Sequence, residues 1–133
     1  MLTLFDIDKG NRIRIIVAGG RNYNDYTMLS NTLTNVLESC GDAKKIIISG
    51  CCQGADALGE QYAKIHGIPI KRFPAEWMKY GKAAGPIRNR KMATYASEGV
   101  GVLVAFWDGK SRGTESMIWL AKKYGLQTII VKY

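Results

Sequence analysis

Histidine occurs once in the chain, at His66, and cysteine three times, at Cys40, Cys51 and Cys52. With one histidine and no C-x-x-C spacing, the sequence holds no ligand set for a structural zinc ion. An odd cysteine count without a secretion signal argues against a disulfide framework. No apolar run approaches the length of a membrane-spanning helix. Met1 to Asp8 carries acids where a signal peptide needs a basic region, so the expected location is the cytoplasm and no membrane partner is expected. There are no internal repeats and no low-complexity segments. At 133 residues the chain reads as one domain, large enough to bury a core without staples.

Acidic residues are also scarce, eleven against nineteen lysines and arginines, for a net charge of +8. The excess is one-sided. Residues 1–66 hold seven basic and seven acidic side chains, and residues 67–133 hold twelve and four. Lys71 to Lys91 carries Lys71, Arg72, Lys79, Lys82, Arg88, Arg90 and Lys91 against Glu76 alone. Such a face suits an anionic partner, either a phosphorylated small molecule or a nucleic acid. For the scattered lysines, a solvated surface explains as much.

Residues 1–11 read as an N-terminal extension, and residues 12–133 as the domain. Arg12 to Ala18 is β-branched and apolar, as a central parallel strand is. Gly19 to Asp25 is a loop, with Asn24 or Asp25 placed to cap a helix whose apolar positions are Met28, Leu29, Leu33, Val36 and Leu37. Lys45 to Ser49 is a second strand, and a helix from about Ala55 to His66 stops at Gly67. Ile68 to Phe73 is a short third strand whose proline points to a sheet edge. Pro74 to Gly85 reads as irregular. Pro86 suits a first helical position, for a helix of about Pro86 to Ser97. Val100 to Phe106, a helix from Met117 to Tyr124, and Thr128 to Lys132 complete an alternation of five strands and four helices. Right-handed crossovers then give a parallel sheet covered on both faces.

The loops after the strands carry the chemistry. Gly19-Gly20-Arg21 lets the backbone approach a ligand, or is simply a tight turn; Tyr23 beside it is expected to pack. In Gly50-Cys51-Cys52-Gln53-Gly54, two glycines bracket the turn into a helix. Asp56 follows, placed to bind ribose hydroxyls or to stabilise the helix start. Cys51 and Cys52 read as small packing residues. Arg88 and Arg90 fall near a helix start, where a cation opposes the dipole and a bound phosphate or carboxylate would reverse that sign. They lie about 200° apart on the helix, so Arg88 is expected inward and Arg90 outward, with Asn89 between. In Asp108 to Glu115, Gly113 and Thr114 offer N–H groups and a hydroxyl at a helix start, Arg112 or Lys110 adds charge, and Glu115 favours the helix start. His66 reads as a helix-end partner, and Trp77, Trp107 and Trp119 as packing groups.

Five segments together resemble the SLOG superfamily, named for its Smf/DprA and LOG members, and within it the YspA-like branch of bacterial and phage domains. They are Ala18 to Asp25, Ser49-Gly50 with Gly54-Ala55-Asp56, Phe73 to Trp77, Ala84 to Asn89 with Met92, and Ser111-Arg112-Gly113-Thr114. The resemblance implies a Rossmann-like α/β fold with strand order 3-2-1-4-5. It also implies a site for a nucleotide or nucleotide-derived ligand, of nucleoside phosphate or ADP-ribose/NAD type, with no further cofactor required. The residues it points to are Gly19, Gly20, Arg21, Gly50, Gly54, Asp56, Arg88, Asn89, Arg112, Gly113, Thr114 and Glu115.

LOG enzymes cleave an N-glycosidic bond with an arginine four residues before a methionine and a glutamate three residues after a Gly-Thr threonine. Arg88 and Met92 match the first pair, but the second position here is Met117. Hydrolysis of a glycosidic or phosphate-ester bond therefore stays open while the phosphate-binding elements remain. The resemblance also implies a homodimer, and the DprA branch implies nucleic-acid binding on the 71–91 surface as the competing reading.

Overall fold

A computed structural model describes residues 12–133; the N-terminal extension lies outside that range. Five strands, β1 (Ile13–Gly19), β2 (Lys45–Ser49), β3 (Ile70–Arg72), β4 (Val100–Trp107) and β5 (Gln127–Lys132), form one parallel sheet in the order 3-2-1-4-5. The β-branched and apolar runs occupy the middle. β1 pairs with β2 from Ile13 opposite Lys45, and with β4 along its whole length to Gly19 opposite Phe106.

Alternation along the strands sorts the core into two halves. Ile13, Ile15, Val17, Ile47, Val102, Val104 and Phe106 face one way, under helices α1 (Tyr26–Ser39) and α2 (Ala55–Ile65). Ile16, Ala18, Ile48, Leu103 and Ala105 face the other way, under α4 (Ala84–Ser97) and α5 (Arg112–Lys123). Neighbouring positions are thus buried on opposite faces, which is why these strands read as continuous apolar runs. Asp25 caps α1 by accepting from the Met28 N–H at 3.0 Å. Ser49, at the end of β2, donates to Glu60 at 2.7 Å, and Glu60 accepts from Arg72 at 2.9 Å, tying β2, α2 and β3 together.

Several local expectations need correction. Strand β3 is limited to Ile70–Arg72, and it lies at the edge, as its proline suggested. Residues 77–83 are helical rather than irregular: α3 (Trp77–Tyr80) is followed by a 3-10 turn at Gly81–Ala83. Helix α4 therefore begins at Ala84, before Pro86, and Arg88 and Arg90 sit in its second turn. The dipole acts mainly on the first turn, so opposition to it says little about either arginine. Helix α5 starts at Arg112, earlier than the apolar stripe suggested. Trp77 and Trp119 are not core groups, being 50% and 60% exposed. Tyr23 is buried and stacks on Phe106, with ring centroids 4.8 Å apart.

Candidate functional site

The strand order reverses between β1 and β4, and at their carboxyl ends lies a cavity of about 450 Å³. Ligands in open α/β sheets bind beside such a reversal. Gly19, Gly20, Arg21, Asp56, Arg88, Asn89, Gly113 and Thr114 line it. Gly50, Gly54, Arg112 and Glu115 do not; the two glycines lie behind the wall, and the Arg112 and Glu115 side chains are exposed.

The glycines act through the backbone. Gly54 has φ +79° and ψ −130°, a conformation open to glycine alone. A Cβ there would collide with the Gly20 and Arg21 backbone, and the next residue, Ala55, donates its N–H to the Gly20 carbonyl at 3.2 Å. The first and second loops are thereby seated on each other. A Cβ on Gly50 would meet Arg88 and Asp56, each at 2.9 Å, so this glycine makes room for both.

Arg88 is inward and Arg90 is exposed. The Arg88 guanidinium donates to the Gly50 carbonyl and, from Nε, to Asn89 Oδ1 at 2.9 Å. Asn89 in turn donates to the Gly113 carbonyl at 3.4 Å. One chain of contacts thus joins the β2 loop, α4 and the start of α5. At that start Ser111 is the cap, accepting from the Thr114 N–H at 3.4 Å and sharing a hydroxyl contact with Thr114 at 3.2 Å. The Arg112 and Gly113 N–H groups have no partner among the described residues. Free donors at a helix start beside a half-buried guanidinium favour an oxyanion there.

Asp56 is buried on the cavity wall and accepts from the Cys52 N–H at 3.2 Å. Burial pushes its carboxyl up to about 6, against the pull of the Cys52 N–H and the Arg88 charge. A lining acid poised near neutrality accepts or donates to a ligand hydroxyl according to pH.

Cys51 and Cys52 are not packing groups. Cys51 is exposed at φ +65°, and burial of its sulfur raises its thiol above the ordinary value rather than acidifying it. Cys52 lines the cavity, 3.8 Å from Arg88 Nη1. His66 caps α2, its ring 4.0 Å from that of Tyr62.

Asp108, Ser111 and Tyr133 were not among the expected site residues, yet all three line the cavity. Asp108 accepts from the Lys110 and Ser111 N–H groups at 2.8 Å each, and these bonds hold its carboxyl below the usual range. Its place at the end of β4, just before a helix start, was a readable signal. Met92 and Met117 supply the apolar floor, so Met117 occupies the wall without a carboxylate.

A model of the YspA, cpYpsA-related SLOG family matches residues 13–80, just over half of the chain. The chain belongs to that family. The matched part of this SLOG domain holds β1, β2, the first two loops and Asp56. No curated protein sequence matches the chain. Among solved structures it is similar to DNA processing protein A from Helicobacter pylori, described for its single-stranded DNA binding mode. The match has 20% identity and a TM-score of 0.60, and it covers 96% of this chain and 68% of the other. At that identity the likeness is one of fold. No helix among the described residues is long and apolar enough to cross a membrane.

Proposed function

We propose that this SLOG domain binds a nucleotide or nucleotide-derived small molecule, of nucleoside phosphate or ADP-ribose/NAD type, in the cavity beside β1 and β4. The supporting observation is the convergence of Arg88, Gly113 with its free N–H at the start of α5, and buried Asp56 on one cavity of about 450 Å³. That volume lies within the range of small-molecule sites, roughly 300–1,000 Å³. The phosphate meets Arg88, Asn89 and the α5 start, and Asp56 meets ribose hydroxyls. With Met117 in place of the LOG-type glutamate, the domain acts as a sensor or sequestering protein, or at most as a weak hydrolase. A thermal-shift panel of AMP, ADP, NAD and ADP-ribose tests this. A ligand at about 100 times its dissociation constant adds roughly 2.7 kcal/mol, which moves the midpoint of a domain this size by several degrees. No shift with any of the four would remove the reading.

A second reading, single-stranded nucleic acid on the 71–91 surface, is favoured by a separate groove of about 520 Å³ along α4. Phe73 and Tyr95 face each other there at 5.6 Å, and the Lys71 ammonium lies 5.7 Å from both rings. Arg90 and Lys91 complete its rim. Aromatic faces flanked by cations suit stacked bases and a phosphate backbone, and the similar Helicobacter protein binds single-stranded DNA. Anisotropy of a labelled oligothymidylate should show binding that weakens as salt rises from about 50 to 200 mM, because phosphate contacts release counterions. No binding at the lower salt would eliminate this surface.

A further inference from the structure

Tyr133 is the one aromatic side chain that lines the cavity among the described residues. Its backbone N–H donates to the Trp107 carbonyl at 3.2 Å, which fixes it beside the end of β4. Its ring meets Tyr23 edge-on, with centroids 4.7 Å apart and planes at 61°. Tyr23 in turn stacks on fully buried Phe106. The Tyr133 ring is thus braced from within by an aromatic column, yet 50% of the residue stays exposed. It also leans over Gly20: a Cβ on that glycine would collide with the Tyr133 hydroxyl.

The cavity wall carries charge of both signs, with Arg21, Arg88, Asp56 and Asp108 on one lining. Arg88, Asn89 and the free N–H groups of α5 suit a phosphate. Asp108, also on the wall, is held anionic by its two backbone N–H bonds. Burial, and then the charge of Asp108, raise the Tyr133 hydroxyl above its ordinary value. The Tyr133 ring, packed against Tyr23 and half exposed on the cavity wall, offers a planar group stacking at little cost in side-chain entropy.

We infer that Tyr133 forms the base-side wall of the cavity, stacking on the nucleobase, so that the site selects nucleobase-bearing phosphates over base-free sugar phosphates. The inference rests on the nucleotide reading of the cavity and adds the moiety that reading leaves unassigned.

Calorimetric titration with AMP and with ribose 5-phosphate tests it, on wild type, Tyr133→Phe, Tyr133→Leu and Tyr133→Ala. Wild type should bind AMP more tightly than ribose 5-phosphate. Tyr133→Ala should weaken AMP roughly tenfold or more, in the range of a lost base–aromatic stack, with ribose 5-phosphate nearly unchanged. Tyr133→Phe should keep AMP affinity. Tyr133→Leu retains apolar contact with Tyr23 without a stacking face, so it should resemble the alanine variant even if the latter folds poorly. Equal weakening of both ligands, or unchanged AMP affinity in the leucine variant, would overturn the inference and leave the nucleotide reading intact. If wild type binds neither ligand the inference falls, and the nucleotide reading falls with it only if ADP, NAD and ADP-ribose also fail to bind.

Discussion

Replacing Arg88 by alanine should weaken nucleotide binding by roughly thirtyfold or more and shrink or erase the ligand-induced thermal shift. Arg88 is the cationic side chain best fixed in the cavity: its Nη1 is tied to the Gly50 carbonyl and its Nε to Asn89, so the guanidinium is oriented before a ligand arrives. Arg21 also lines the wall but is exposed. Truncating one partner of a desolvated charge pair costs about 2–5 kcal/mol, equivalent to a loss of roughly thirtyfold to several thousandfold in affinity. Arg88→Ala also leaves the Gly50 carbonyl without its donor, so the ligand-free melting point should fall, by the loss of roughly 1 kcal/mol per hydrogen bond. The ligand-induced shift is therefore the quantity to compare. Arg90→Ala provides the contrast, because Arg90 is exposed and outside this cavity; its ligand shift should equal that of wild type. Arg88→Lys keeps the charge but not the planar fork, and should fall between them. A full ligand shift in Arg88→Ala would remove Arg88 from the site.

Replacing Asp56 by asparagine should stabilise the ligand-free domain at neutral pH and weaken its ligand binding. Burial raises the folded-state value of Asp56 from 3.8 to about 6. Between those values the native state holds a proton that the unfolded chain has released, so stability falls as pH rises through this window. A shift of about two units corresponds to roughly 3 kcal/mol, present below pH ~4 and lost above pH ~6. Asparagine cannot ionise, and its side-chain oxygen can still accept from the Cys52 N–H. Denaturant melts from pH 4 to 7 should therefore show wild type losing ground to the variant, with the gap fully open near neutrality. Parallel curves would mean that Asp56 ionises normally in the fold. In the proposed nucleotide reading, the carboxylate that costs stability is the one that would meet ribose hydroxyls, a trade of stability for function.

The sheet was legible because its four longer strands are apolar runs with turn residues at each end, and Gly41, Gly67 and Gly125 mark the stops of α1, α2 and α5. Covering both faces of a parallel sheet leaves no solvent-side alternation to confuse the reading. The loops were legible for a related reason: Gly54 stands where two backbones touch, and a Cβ there would collide with the Gly20 and Arg21 backbone. The segment from Pro74 to Gly85 was misread. Its short helix and 3-10 turn are too brief to leave a periodic pattern, and Gly81 and Gly85 resemble loop residues. Tyr133 was invisible in the cavity because it arrives there through the pairing of β5 with β4 and through packing on Tyr23, a residue more than a hundred positions away in the chain. Cys51 and Cys52 were misplaced because small apolar character does not reveal a left-handed turn.

The seating of Gly54 against Gly20 and Arg21 has a consequence for how specificity can change. The two loops are seated on each other, so that reshaping one displaces the other. A lineage retuning this domain would leave that seating alone and vary what projects from the cavity rim: Arg21, Asn22 and Tyr133. The same mould could then serve many small anions, each distinguished by a few side chains at the mouth.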